Sequence, residues 1–310
     1  MATPAEPLVA DVADARAATL AGELLANASL EVALREAGKL AEAAPLLPSG
    51  TCVYVPSLPA RPLALSLPVL AAIRAQGLDP VPHVAARRVA SHGELERFLA
   101  QAVREHGVHR VMLIGGDESE SAGPWHDSVQ LLASGVLRDA GVREIGIAAY
   151  PEGHPKITQD ALRRAFERKL ELAHAQNLGS YAVTQFSFAP DRIVALLADL
   201  AARAPHVPVY VGMPGPSDPL ALLRYAQRCG VGATRRALST LGSGIAHLVA
   251  HTDPSDQLAA AAHYAAAHEN LVGVHLYSFG GVVRTAQWLA ALRRSRPHQT
   301  ARSHTQRSLP

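Results

Sequence analysis

Short apolar runs alternate with longer stretches of helical spacing along nearly the whole chain. That alternation restricts the fold more than any other feature. The apolar runs fall at 30–34, 52–55, 80–84, 110–114, 145–149, 181–186, 207–212 and 272–277. Helical stretches lie between them, among them 66–76, 93–106, 129–140, 159–175, 190–204, 219–229 and 255–268. Ser66, Ser91, Asp218 and the Asp253/Asp256 pair stand where a side chain can cap a first helical turn. A strand that is apolar on both faces belongs in a parallel sheet covered by helices. Eight such strands over about 250 residues predict an α/β fold, a single-domain (β/α)8 barrel of TIM type. A doubly wound sheet is the alternative, and it places a glycine-rich phosphate turn after its first strand. The glycines here, in Gly115-Gly116-Asp117, follow the fourth run and lack that spacing.

Residues 1–20 read as an N-terminal extension, 21–296 as the barrel and 297–310 as a disordered tail of His, Arg, Gln and Ser. The stretch 234–251 adds a helical excursion between the seventh and eighth strands. Apolar residues make up 48% of the chain and aromatics only 5%, which fits Ala/Leu-rich helices around a Val/Ile-rich sheet. The formal charge of +2 is too small to call for nucleic acid or an anionic membrane. No apolar run approaches the roughly 20 residues that span a bilayer, and no basic-then-apolar leader opens the chain. A cytoplasmic protein is the expectation, and the Ala/Leu helices leave room for a homo-oligomer. Cys52 and Cys229 lie far apart, and Cys52 in its apolar run reads as a buried free thiol. His126-Asp127 is a lone pair without further ligand spacing, so no metal is expected. Gly242-Ser243-Gly244 lacks the spacing of a nucleophile elbow, so a serine hydrolase is not expected.

In a barrel the carboxyl ends of the strands converge on one face, and chemistry collects there. The polar residues at those ends are Glu31, His83, Asp117 with Glu118, Tyr150, Glu152, His154, Gln185, His275 and Tyr277. The densest group is Ala149-Tyr150-Pro151-Glu152-Gly153-His154-Pro155, in which two prolines fix a turn that carries a ring, a carboxylate and an imidazole. Gln185, between Thr184 and Phe186, is an amide in an apolar run and must find a partner, in the protein or in a ligand. His275 and Tyr277 are two apart and share a face of their strand. Bland readings stand beside these. The stretch 23–39 also reads as helix, which would leave Glu31 solvated. His83 suits an internally paired core histidine, Gly115-Gly116-Asp117 a plain Asx turn, and His275 with Tyr277 simple packing.

The 149–155 run closely resembles the fifth-strand motif of the methylenetetrahydrofolate reductases. Other pieces follow in the family's order. Ser29-Leu30-Glu31 resembles its Ser-Phe-Glu, Pro82-His83 its Pro-His, and Gly116-Asp117 the end of its Arg-Gly-Asp. Thr184-Gln185-Phe186-Ser187-Phe188 is similar to its Thr-Gln-Phe-Phe-Phe, and His275-Leu276-Tyr277-Ser278 to its His-Phe-Tyr-Thr. Val211-Gly212-Met213-Pro214 is similar to its Pro-Gly-Ile segment. The resemblance implies a flavin barrel that moves a hydride between NAD(P)H and 5,10-methylenetetrahydrofolate through FAD, in either direction. It implies Glu31 as general acid toward the departing folate nitrogen, and Asp117 as the charge opposite the iminium cation. It implies His83, Gly116, Asp117, Tyr150, His154 and Lys169 around the flavin, with His174 as an alternative to Lys169. Gln185, Asp117 and Tyr277 would meet the folate.

Three single positions and one short run depart from the family's pattern. Gly115 stands where the family has an arginine that contacts flavin, Pro56 where it has a threonine, and Gly281 where it has a folate-binding arginine. Val32-Ala33-Leu34 replaces its aromatic-proline run, and Arg284 is the cation nearest to Gly281 in sequence. The departures motivate a second expectation: a tetrahydrofolate-binding barrel of another class, a methyltransferase or non-redox module, without flavin.

Overall fold

The structure, a computed structural model, describes residues 7–216 and 254–294. The expected segments at 219–229 and 234–251, Cys229, the Asp218 and Asp253 caps, Gly242-Ser243-Gly244 and the tail from 297 lie outside the described residues. Eight parallel strands close a barrel in sequence order: β1 Ser29–Glu31, β2 Cys52–Val55, β3 Asp79–Ala85, β4 Arg110–Ile114, β5 Glu144–Ala149, β6 Gly179–Thr184, β7 Val209–Pro214 and β8 Leu271–Tyr277. The main helices are α1 Pro7–Ala26, α2 Leu40–Ala43, α3 Leu67–Ala75, α4 His92–His106, α5 Ser128–Ala133, α6 Val136–Asp139, α7 Gln159–Ala175, α8 Pro190–Arg203, α9 Ser255–Ala265 and α10 Val282–Arg294. This is the α/β TIM-type barrel that the alternation predicts. Helix α1 crosses residue 20 and packs on β8, α9 and α10, with Ala17, Ala21, Leu24 and Leu25 buried. Among the described residues no helix is long and apolar enough to cross a membrane.

Helix α4 shows how local sequence makes a barrel helix. Ser91 has an extended backbone, and its hydroxyl accepts from the Glu94 N–H at 3.1 Å. The Glu94 carboxylate accepts in turn from the Ala90 N–H at 2.8 Å, so two groups at the helix start are satisfied together. Leu95, Phe98, Leu99 and Ala102 follow at helical spacing and are all buried. Gly107, at φ 67°, ends the helix in the left-handed conformation that a glycine adopts without strain. Each buried leucine contributes about 2 kcal/mol, so Leu99→Ala would cost at least that much.

Two cores result. The larger lies between barrel and helices. The smaller fills the barrel itself with Tyr54, Val81, Met112, Tyr181 and Val183. Tyr54 donates its hydroxyl proton to the Tyr181 hydroxyl at 3.0 Å, so this buried pair satisfies itself across the barrel. Gly146 makes room for it, because a side chain there would meet the Met112 sulfur at 2.7 Å and the Tyr181 ring at 3.0 Å. At the amino ends of the strands, Arg110 pairs with Glu144 at 2.8 Å and lies over the Tyr181 ring. Cys52 is a free, half-buried thiol there that accepts from Arg110, and burial pushes it up from its ordinary value.

Several bounds differ from the sequence reading. β1 stops at Glu31, two residues past which the chain enters a 3₁₀ turn, Leu34–Lys39. β6 stops at Thr184, so Gln185 and Phe186 lie beyond the ladder. The stretch 129–140 is two helices, because Gly135 takes φ 78° between them. Ser66 does not cap α3; its hydroxyl donates to the Leu63 carbonyl.

Candidate functional site at the barrel mouth

The barrel register sets the central feature. Glu31, the last residue of β1, pairs with Tyr54 of β2, and Ser29 pairs with His275 of β8. The Glu31 carboxyl therefore points between His83 and His275, with Oε1 at 3.7 Å from the Nε2 of each ring. The Tyr54 ring packs edge-on against both imidazoles, at 4.5 Å from His275 and 6.0 Å from His83. Burial raises the Tyr54 hydroxyl well above its ordinary value, so it stays protonated and acts as a wall. The Glu31 backbone is also pinned: its carbonyl accepts from the Ser278 hydroxyl at 2.7 Å.

The two histidines differ. His275 is 1% exposed, and its Nδ1 lies 2.9 Å from the Ser29 hydroxyl. That hydroxyl also lies 3.5 Å from the Val274 carbonyl. His83 Nε2 is buried with no hydrogen-bond partner. Burial lowers the His83 imidazole to about 4; Glu31 opposes the shift, while His275 and Arg88 add to it. His83 is neutral at physiological pH and does not compete with Glu31 for a proton.

The opposite rim is built from loops. Gly116, at φ +94°, lets the chain turn after β4, and a side chain there would lie 2.7 Å from the Glu118 carboxylate. Arg87 holds this loop by donating to the carbonyls of His126 at 2.8 Å and Gly116 at 3.1 Å. The Asp117 side chain is 83% exposed. Lys156, from the β5 loop, donates to the Asp117 carbonyl at 3.3 Å. In that loop Gly153 closes a turn onto Tyr150, and the Tyr150 and His154 rings meet edge-on at 5.2 Å. Burial lowers the His154 imidazole; Asp117 opposes this, while Lys156 and Arg87 add to it. Glu152 accepts from the Ser187 hydroxyl at 2.7 Å, which ties the β5 loop to the β6 loop.

An aromatic wall closes the β6–β8 side. Phe186 packs edge-on against Phe188, Tyr277 and Phe279, and the last two rings stack at 6.0 Å. Tyr277 donates its hydroxyl proton to the Thr184 carbonyl, so its ring is what it presents. Gln185 Oε1 accepts from the Phe186 N–H at 3.1 Å, which leaves its amide N–H groups outside that bond. Gly212 is obligatory here, since a side chain would lie 2.0 Å from the Thr184 carbonyl. Arg35 and Arg284 flank the β8 loop, close to where side chains at Gly280 and Gly281 would begin.

The structure thus gathers Glu31, His83, Asp117, Gly116, Tyr150, His154, Gln185 and Tyr277 at strand ends of one face. Lys169 stands apart. It is buried ten residues into α7, and its charged neighbour is Asp127, which caps α5. Burial lowers its amine to about 8, and Asp127 opposes the shift. His174 is exposed in the last turn of α7. His126 Nδ1 pairs with Ser121. Sequence reasoning missed Ser29, Tyr54, Arg87 and Arg88. Readable signals were the place of Ser29 in the Ser29-Leu30-Glu31 motif and the arginine doublet soon after a strand end.

Residues 63–233, more than half of the chain, match the family model described as methylenetetrahydrofolate reductase. Among solved structures, the fold is similar to that of an uncharacterized protein from Clostridium thermocellum that binds two copies of 5-methyl-5,6,7,8-tetrahydrofolic acid. The TM-score is 0.59 at 12% identity, covering 89% of this chain and 98% of that one. Dihydropteroate synthase from Thermus thermophilus aligns at 14% identity over 86% of this chain and 93% of its own, with a TM-score of 0.44.

Proposed function

This chain belongs to the methylenetetrahydrofolate reductase family, and from that premise we propose that it interconverts 5,10-methylenetetrahydrofolate and 5-methyltetrahydrofolate. The observation that carries the proposal is the Glu31 carboxyl held between two imidazoles at the mouth. The folate-binding neighbour of the same fold supports a reduced folate as ligand.

Opening the folate's five-membered ring requires a proton on the departing nitrogen, and Glu31 supplies it. A hydroxyl at Ser29 that turns its proton to the Val274 carbonyl accepts from His275 Nδ1–H. His275 Nε2 is then an acceptor facing the Glu31 carboxyl at 3.7 Å. Neutral His83 leaves the Glu31 proton in place. Ring opening creates an iminium cation, and Asp117 supplies the opposing charge from the rim. Gln185 donates to the pterin edge, and the Tyr277–Phe279 stack offers the flat apolar surface that such a ring system needs. Arg35 and Arg284 suit the carboxylates of the folate tail.

FAD, when bound, supplies the hydride exchanged with NAD(P)H and with the folate. The residues fit it. His83 Nε2 is an orphaned buried polar atom at the mouth, and a Cβ at Gly115 would meet nothing within 4 Å, which leaves space beside the β4 end. His83, Gly116, Asp117, Tyr150 and His154 would line the flavin. Lys169 would join them only as a distant cation on α7.

The test is an absorbance spectrum of the purified protein with FAD, before and after anaerobic 5-methyltetrahydrofolate. Bleaching of bound flavin is the expected result. Tight folate binding with no flavin bound and no spectral change would instead establish the non-redox folate module, which the bare positions Gly115, Pro56 and Gly281 favour.

A further inference from the structure

Arg88 is the last residue of the 3₁₀ turn that follows β3, and only 8% of its side chain is exposed. Its Nε donates to the Glu118 carboxylate at 2.6 Å, and its Nη1 donates to the Ser57 carbonyl. The guanidinium therefore spans from the β2 loop to the β4 loop across the end of β3. Its Nη2 lies 3.9 Å from the Asp117 carboxylate, beyond hydrogen-bond length, and makes no hydrogen bond among the described residues. A buried guanidinium normally satisfies its donors, because unpaired charge in a dry site is costly. One edge of Arg88 is thus unspent, in the mouth, between Asp117 and neutral His83. That edge can take an acceptor, anionic or carbonyl, brought by a ligand.

The neighbouring position completes the picture. Gly115, at the end of β4, carries no charge, faces open space and has no left-handed backbone angle. Positive charge at this rim comes from Arg87 and Arg88 on the β3 side and from Lys156 on the β5 loop, although β4 could host it too.

We infer that Arg88 is the cationic anchor of the flavin, moved from the β4 end to the β3 loop, with Glu118 as the residue that positions it. The inference rests on the flavin reading above and names a residue for that site.

The experiment is an FAD titration followed by flavin fluorescence, with a parallel titration of 5-methyltetrahydrofolate on the flavin-free protein. Wild type, R88Q, R88K, R88Q/E118Q and R88Q/G115R are compared. Loss of a charged hydrogen bond predicts that R88Q weakens FAD binding about tenfold to a hundredfold. R88K should fall between, because lysine keeps the charge but loses the fork. R88Q/E118Q guards against misfolding from a stranded carboxylate and should match R88Q. R88Q/G115R should recover most of the FAD affinity, since it returns a guanidinium to the open space at β4. Folate affinity should stay within about twofold throughout, because the altered donor contacts flavin only.

A wild type that binds no FAD overturns the flavin reading itself. A wild type that binds FAD, with R88Q equal to it, overturns the Arg88 inference and leaves that reading standing. Loss in folded R88Q that G115R does not restore overturns it too, as does a loss of folate affinity in place of FAD affinity.

Discussion

The two sides of the barrel mouth hold their carboxylates in opposite ways. Glu31 is 17% exposed, and the side chains around its carboxyl, His83, His275, Ser29 and Tyr54, sit on strands. Asp117 is 83% exposed, and its neighbours Arg88 and Lys156 both arrive on loops. A group that must hold and release one proton needs a fixed, dry setting, which the ladder register supplies. A group that must follow charge on a bound ligand gains from a rim that can adjust. On the proposed function, that difference gives proton handling to the strands and ligand handling to the loops.

The largest test of that division is Glu31→Gln. The folate half-reaction should fall about a hundredfold to ten-thousandfold, with the NAD(P)H–flavin half-reaction nearly intact, as measured by anaerobic stopped-flow. Equal loss in both would make Glu31 a structural residue. Next comes His83. Its folded value of about 4 lies below the ordinary 6.5, so between those values the unfolded chain binds a proton that the folded one refuses. The stabilisation is complete above pH 6.5 and is lost as pH falls toward 4, at up to about 1.4 kcal/mol per pH unit. Denaturant titrations at pH 4.5 to 7 should show this slope in wild type and lack it in His83→Asn; equal slopes would mean the strand side is wetter than its geometry implies. Asp117→Asn should slow the folate half-reaction by about tenfold, less than loss of a buried group would, and should weaken FAD binding by a smaller factor than that. Unchanged folate kinetics would remove Asp117 from the charge-stabilising role. The smallest effect belongs to Ser29→Ala, about threefold to tenfold on the folate half-reaction, with a shifted pH profile because His275 can then change tautomer. A drop in melting temperature with no change in that profile would leave Ser29 with packing alone.

Much of this architecture is legible in the amino-acid order alone. The strands at 52–55 and 110–114 and the helix at 159–175 coincide with β2, β4 and α7, since each is a strongly periodic segment between polar flanks. The sequence reading overruns β1 because Val32-Ala33-Leu34 continues the apolar pattern, whereas the ladder ends and a 3₁₀ turn begins. Glu31, Asp117 and Gln185 are recognisable from motif order. That Glu31 faces His83 and His275 together is not, because it depends on which strands become neighbours when the barrel closes. Arg88 is less legible still. Its partners Ser57 and Glu118 lie 31 and 30 residues away, on either side of its own strand. No local spacing encodes such a bridge.

The pairing of Ser29 with His275 has a consequence for how the folded protein comes into being. The first and last strands meet at that seam, and Glu31 sits on it. During synthesis the carboxyl emerges early, while its second imidazole emerges more than two hundred residues later. Closing the seam is among the longest-range steps in the chain, and such contacts form late. A nascent or truncated chain that has folded every earlier unit still lacks the finished Glu31 setting. Competence therefore arrives in one event, when the ring of strands is complete.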